Sequence, residues 1–77
     1  MVRLKIKFTT VEEVEEFNSI AEKQNFDIDI TCGRQIVDAK SIMGVLSIDL
    51  TKDIWVVIHA EEPESRDYLE KISKFLV

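Results

Sequence analysis

Few side chains in this 77-residue chain could do chemistry, and each stands alone in the sequence. His59 is the only histidine and Cys32 the only cysteine. An imidazole attacks phosphorus usefully when it is accessible and when helix-terminal amides or an arginine hold the phosphoryl oxygens. No arginine or glycine-rich stretch adjoins His59, so it reads as a solvated strand histidine, with a binding contact beside Trp55 as its alternative role. Cys32 cannot form an intramolecular disulfide and reads as a small, semi-buried residue. One cysteine and one histidine make no zinc cluster. Gly33 and Gly44 are too far apart to form a phosphate-cradling loop, and no catalytic triad or paired-carboxylate arrangement is visible. These residues imply no catalytic site, no metal and no cofactor.

The elements that would carry these groups follow from hydrophobic period. Val2, Leu4, Ile6 and Phe8 alternate with Arg3, Lys5 and Lys7, the pattern of a strand with one buried face. Thr10 and Glu13 make a capping box, and Val11, Val14, Phe17, Ile20 and Ala21 then recur at helical spacing, which predicts a helix over 10–24. Alternation returns in Phe26, Ile28 and Ile30. A turn at Gly33 leads into a second short run, Gln35 to Asp38, so 26–38 reads as a hairpin. Ser41 caps a short helix running to about Ile48, and the polar break Thr51 to Asp53 precedes an apolar strand, Ile54 to Ala60. Pro63 suits the first turn of a last helix, in which Leu69, Ile72 and Leu76, flanked by Tyr68 and Phe75, form a stripe reaching the C-terminus.

The order βαββαβα predicts one α+β domain, residues 1–77, in which three helices cover one face of a four-stranded sheet. The other face meets water and carries Arg3, Lys5 and Lys7, then Trp55, Val57 and His59, then Asp27 and Asp29. Placing the apolar strand 54–60 between the basic and acidic ones explains its near-continuous hydrophobicity. Trp55 is either packed against the lysine stems of the first strand or exposed as an anchor for self-association.

Composition narrows the partners. Hydrophobic residues are 45% and charged residues 32% of the chain, a folded-domain balance. The net charge of −5, with acids at Glu12, Glu13, Glu15 and Glu16 and again at Glu61, Glu62 and Glu64, repels phosphate backbones and argues against nucleic acid. The first group also complements a helix dipole. The longest apolar run, Ile54 to Ile58, is far too short to span a membrane, and no signal-peptide pattern follows Met1, so a cytoplasmic location is expected.

The segment Ala39-Lys40-Ser41-Ile42-Met43-Gly44-Val45-Leu46-Ser47 resembles the regulatory-serine motif of HPr, the phosphocarrier of the bacterial sugar phosphotransferase system. The resemblance runs through 26–77 and implies an HPr-like open-faced β-sandwich with strand order 1-4-2-3. It departs at the other end. The family carries a Gly-x-His-x-Arg-Pro loop after the first strand, whereas here Phe8 leads through Thr9 and Thr10 straight into Val11, Glu12 and Glu13. The resemblance therefore implies a histidine-less variant of the Crh type. Ser41 matches the serine that HPr kinase modifies, and a phosphate at a helix start meets free amides. The acidic start of the first helix is expected close by, disfavouring added negative charge. Ile42, Met43 and Leu46 match the family's partner-docking patch, with Val45 and Ile48 facing the core. The implied partners are HPr kinase, a transcription regulator or a metabolic enzyme, for a monomer or weak homodimer. The regulator is the weaker of these, because the arginine that helps such partners read the phosphoserine is missing with the loop. A working phosphocarrier and a self-associating structural module are the competing readings.

Overall fold

In the computed structural model, which describes residues 1–77, the chain runs β1 (Val2–Ile6), α1 (Val11–Glu22), β2 (Asp27–Cys32), β3 (Gln35–Asp38), α2 (Ile42–Leu46), β4 (Ile54–His59) and α3 (Glu64–Lys71). A 3₁₀ turn, Ser73–Phe75, closes it. The four strands form one antiparallel sheet in the order β1-β4-β2-β3. The expected order is thus the observed one, and β4 is central because Ile54, Val56 and Ile58 bury one face while Trp55 and Val57 half-bury the other.

Alternation fixes which residues meet the helices. Ile6, Ile28, Ile30, Cys32, Ile54, Val56 and Ile58 are all buried beneath them. Cys32 is therefore more enclosed than expected, with its Sγ 3.8 Å from the Asp49 carbonyl. Gly33 takes a φ of 59°, which lets a two-residue turn join β2 to β3.

The start of α1 is held by both halves of the capping box. Thr10 Oγ1 accepts from the Glu13 amide at 3.1 Å, and Glu13 Oε1 accepts from the amides of Thr10 at 3.2 Å and Thr9 at 2.7 Å. Val14, Phe17 and Ala21 then bury one face. Phe8, Phe17 and Phe75 meet edge to face with centroids 5.2 to 5.5 Å apart, joining the exit of β1, the middle of α1 and the C-terminal turn. Each such pair contributes about 0.5–1.5 kcal/mol beyond burial itself.

The last segment departs from expectation. No single helix reaches the C-terminus, and the buried stripe is Ser65, Tyr68, Ile72 and Phe75, leaving Leu69 and Leu76 half-buried. After the 3₁₀ turn, Leu76 pairs with Ile6 and the Val77 amide donates to the Lys5 carbonyl at 3.1 Å. The C-terminus thereby covers part of the free edge of β1, using backbone groups that a longer helix would have kept to itself.

Candidate docking and modification site

The approach to α2 is tied down from several sides. Buried Asn18 on α1 donates through Nδ2 to the Ala39 carbonyl at 3.0 Å, and Lys40 Nζ donates to the Gln24 carbonyl at 2.9 Å. Asp38 Oδ1 accepts from the Lys40 amide and the Asp38 carbonyl from the Ser41 amide. These anchors lie in the second half of α1 and just past its end. Glu13 is five or more residues away, which at the rise of a helix is about 7 Å or more along the axis. Glu15 and Glu16, in the same acidic start, precede Asn18 by only three and two residues, and the bonds that place α2 come from Asn18 and Gln24.

Ser41 is exposed and caps α2, its Oγ accepting from the Gly44 amide at 3.3 Å. At the other end Ser47 Oγ donates to the Gly44 carbonyl at 2.6 Å and accepts from Gln35 Nε2 at 3.1 Å. Gly44 permits this tight packing, since a Cβ there would come within 3.3 Å of Val37 Cβ and 3.4 Å of Ser41 Oγ. Val45 and Ile48 face the core as expected.

The three expected docking residues do not share one environment. Met43 is 81% and Leu46 47% exposed, whereas Ile42 is half-buried against the core. Ile42 is a correction: a five-residue helix lying flat between α1 and β3 gives its first residue a core contact, so the outward patch is Met43 and Leu46.

His59 lies elsewhere. Its Nε2 is 2.9 Å from Asp29 Oδ2 on the open face. Because β1 pairs Val2 with Ile58 and Ile6 with Ile54, His59 sits at the end of the sheet opposite the β1–α1 connection. At that connection the amides of Thr9 and Thr10 and the Thr9 hydroxyl all point at the Glu13 carboxylate. The Thr9 hydroxyl, chiefly, holds Glu13 below the usual carboxylate range. Glu16 nearby pairs with Lys74.

Trp55 packs on the open face under Arg3, whose guanidinium carbon is 4.0 Å from the ring centroid, with Lys5 directly opposite it on β1. Arg3 and Asn18 were absent from the expected site, and so was Ile36, which is 68% exposed. Hairpin parity could have found Ile36, since it stands opposite Thr31 on the open face. No pattern in the sequence singles out Asn18.

An open-faced sheet with three helices on one side, in this strand order, defines the fold class of HPr-like domains. The chain belongs to the PTS-HPr family: the family model described as the PTS HPr component phosphorylation site matches residues 11–77. The fold is similar to that of the phosphocarrier protein HPr from Bacillus anthracis strain Ames, with a TM-score of 0.71 and 22% identity over 99% of this chain and 94% of that one. HPr-C-His from Thermoanaerobacter tengcongensis matches with the same TM-score of 0.71 and 22% identity, over 95% of this chain and 85% of that one. β1 and the turn into α1 lie outside the span the family model matches.

Proposed function

We propose that this chain is a non-enzymatic, cytoplasmic regulatory member of its family, one that binds protein partners through Met43 and Leu46 beside Ser41 and carries no phosphoryl group on histidine. The observation that carries this reading is the start of α1. There the amides that could cradle a phosphoryl group are aimed at Glu13, and the connection contains no histidine, arginine or proline. Phosphoryl transfer needs a nucleophile beside such donors, and His59 is at the other end of the sheet on its open face.

Support for a switch at Ser41 comes from its exposure and from the two apolar side chains next to it. A dianionic phosphate one residue from Ile42 and two from Met43 would change how that surface meets a partner. A kinase, a transcription regulator or a metabolic enzyme fits such a surface. Incubation with HPr kinase and ATP followed by mass spectrometry tests the reading, with a phosphate expected on Ser41. An unmodified Ser41 under conditions that modify a control HPr removes the switch.

The description of the family model favours a second reading, in which the chain is a working phosphocarrier. It requires acid-labile phosphate formed from phosphoenolpyruvate and the first enzyme of the system, and His59 is the only histidine that could hold it.

A further inference from the structure

The open face of the sheet carries a charge pattern that the proposed function does not use. Two rows of side chains cross it, Lys5-Trp55-Thr31-Ile36 and Arg3-Val57-Asp29-Asp38, as the strand registers define them. The β1 end is basic and the β2–β3 end is acidic, with Asp27 adding to the latter. Between them stand Trp55 and Val57, half-buried with no helix above them. Lys5 is paired with Asp53 and His59 with Asp29, but Arg3 and Asp38, at opposite ends of one row, have no ion-pair partner.

We propose that this face docks a second copy of the chain, packed sheet to sheet about a two-fold axis parallel to the strands, with Arg3 of each copy against Asp38 of the other. Such an axis lying between β4 and β2 carries β1 over β3, so the basic end of one copy meets the acidic end of the other, twice per dimer. The alternative axis, across the strands, would stack Arg3 and Lys5 on their own counterparts and is repulsive. Sheets packed face to face lie about 10 Å apart, a gap that one long and one short side chain can bridge. In the same arrangement Trp55 stands over Thr31, and the methylene stem of Lys5 over exposed Ile36. Arg3 rests on Trp55 in the free chain, so docking exchanges that stacking for an ion pair with the other copy's Asp38 and uncovers the ring. Four strands span about 19 Å, so the contact is small and the dimer reversible on dilution.

The test is sedimentation equilibrium from micromolar to millimolar concentration. The wild-type chain is expected to rise from the monomer mass toward twice that value. Arg3→Asp and Asp38→Arg, each shown to be folded by circular dichroism, are expected to stay monomeric alone. Mixed in equal amounts they present opposite charges at both contacts and are expected to recover the dimer. Should Arg3→Asp unfold, Arg3→Gln retains the stem over Trp55 and is expected to shift the association to higher concentration. A wild-type chain that is monomeric throughout, single variants that still dimerise, or a mixture that fails to associate would each overturn the proposal. Asp38→Arg also removes the carboxylate that accepts from the Lys40 amide ahead of Ser41, so Arg3→Asp is the arm whose outcome is independent of the Ser41 reading.

Discussion

His59 Nε2 lies 2.9 Å from Asp29 Oδ2 across the β4–β2 boundary, on the face of the sheet that carries no helix. The pair joins two strands on the open face, so the polar partner of the imidazole is a carboxylate and not a set of amides. A phosphoryl group arriving there would meet negative charge.

Phosphoenolpyruvate and the first enzyme of the phosphotransferase system are therefore expected to leave His59 unmodified, as read by phosphate release in acid and by mass spectrometry. His59→Gln is expected to change the stability obtained from urea unfolding by less than about 1 kcal/mol, the range of exposed pairs.

Ser41→Ala removes the side-chain cap at the N-terminus of α2 and with it the hydroxyl that accepts from the Gly44 amide. A loss of about 1 kcal/mol in urea unfolding is expected, while Ser41→Asp, which can also cap, is expected to stay close to wild type. A loss of the same size in Ser41→Asp would show that the hydroxyl acts through something other than the cap.

Much of this was legible beforehand because it is local. Thr10 and Glu13 announce a capping box by spacing alone, and the alternation of β1 and β2 sets which side chains are buried. Charge on the open face placed β4 between them. What stayed hidden depends on contacts distant in sequence. The C-terminus leaves its helix because Ile6 offers a free strand edge to Leu76, and periodicity cannot report that. Asn18 is one polar residue on an apolar helical face until the Ala39 carbonyl is known to lie against it. The exposed Ile36 followed from the two-residue turn at Gly33, but only once Cys32 was paired with Gln35.

Glu13 and Asp49 both titrate below the ordinary carboxylate range, held down chiefly by hydrogen bonds from the Thr9 and Thr51 hydroxyls respectively. A carboxyl whose folded pKa is depressed stabilises the fold above its unfolded pKa. That stabilisation is lost as pH falls through the folded value. The urea midpoint is therefore expected to drop as pH falls below about 4.5, the ordinary value for Glu13, and Glu13→Gln is expected to flatten the fall. An unchanged slope in Glu13→Gln would assign the acid sensitivity to other carboxyls.

Tyr68 is fully buried, packs edge to face on Phe26 with centroids 5.8 Å apart, and its hydroxyl has no hydrogen-bond partner. Burial pushes its pKa above the ordinary phenol value. With the folded pKa raised, its contribution to stability is full below the unfolded phenol pKa and is lost as pH rises past it, so ultraviolet titration should show this phenol ionising only with alkaline unfolding. An orphaned buried hydroxyl costs about 1–3 kcal/mol. Tyr68→Phe keeps the ring and removes the orphan, so it is expected to raise stability by about 1 kcal/mol; a loss of stability would mean that the hydroxyl is bonded in solution.

Met43 and Leu46 are the exposed side of a helix whose other side is secured by Val45 and Ile42. Their exposure means that truncating them removes little packing, so Met43→Ala with Leu46→Ala is expected to alter stability by no more than about 0.5 kcal/mol. Under the proposed function these exposed apolar side chains beside Ser41 are the surface a kinase would cover. The same double variant is thus expected to slow phosphorylation of Ser41 by HPr kinase several-fold, with the cap on Ser41 undisturbed. Kinetics identical to wild type would place kinase recognition elsewhere on the chain, and the nearest candidates would then be the side chains of α1 that face α2.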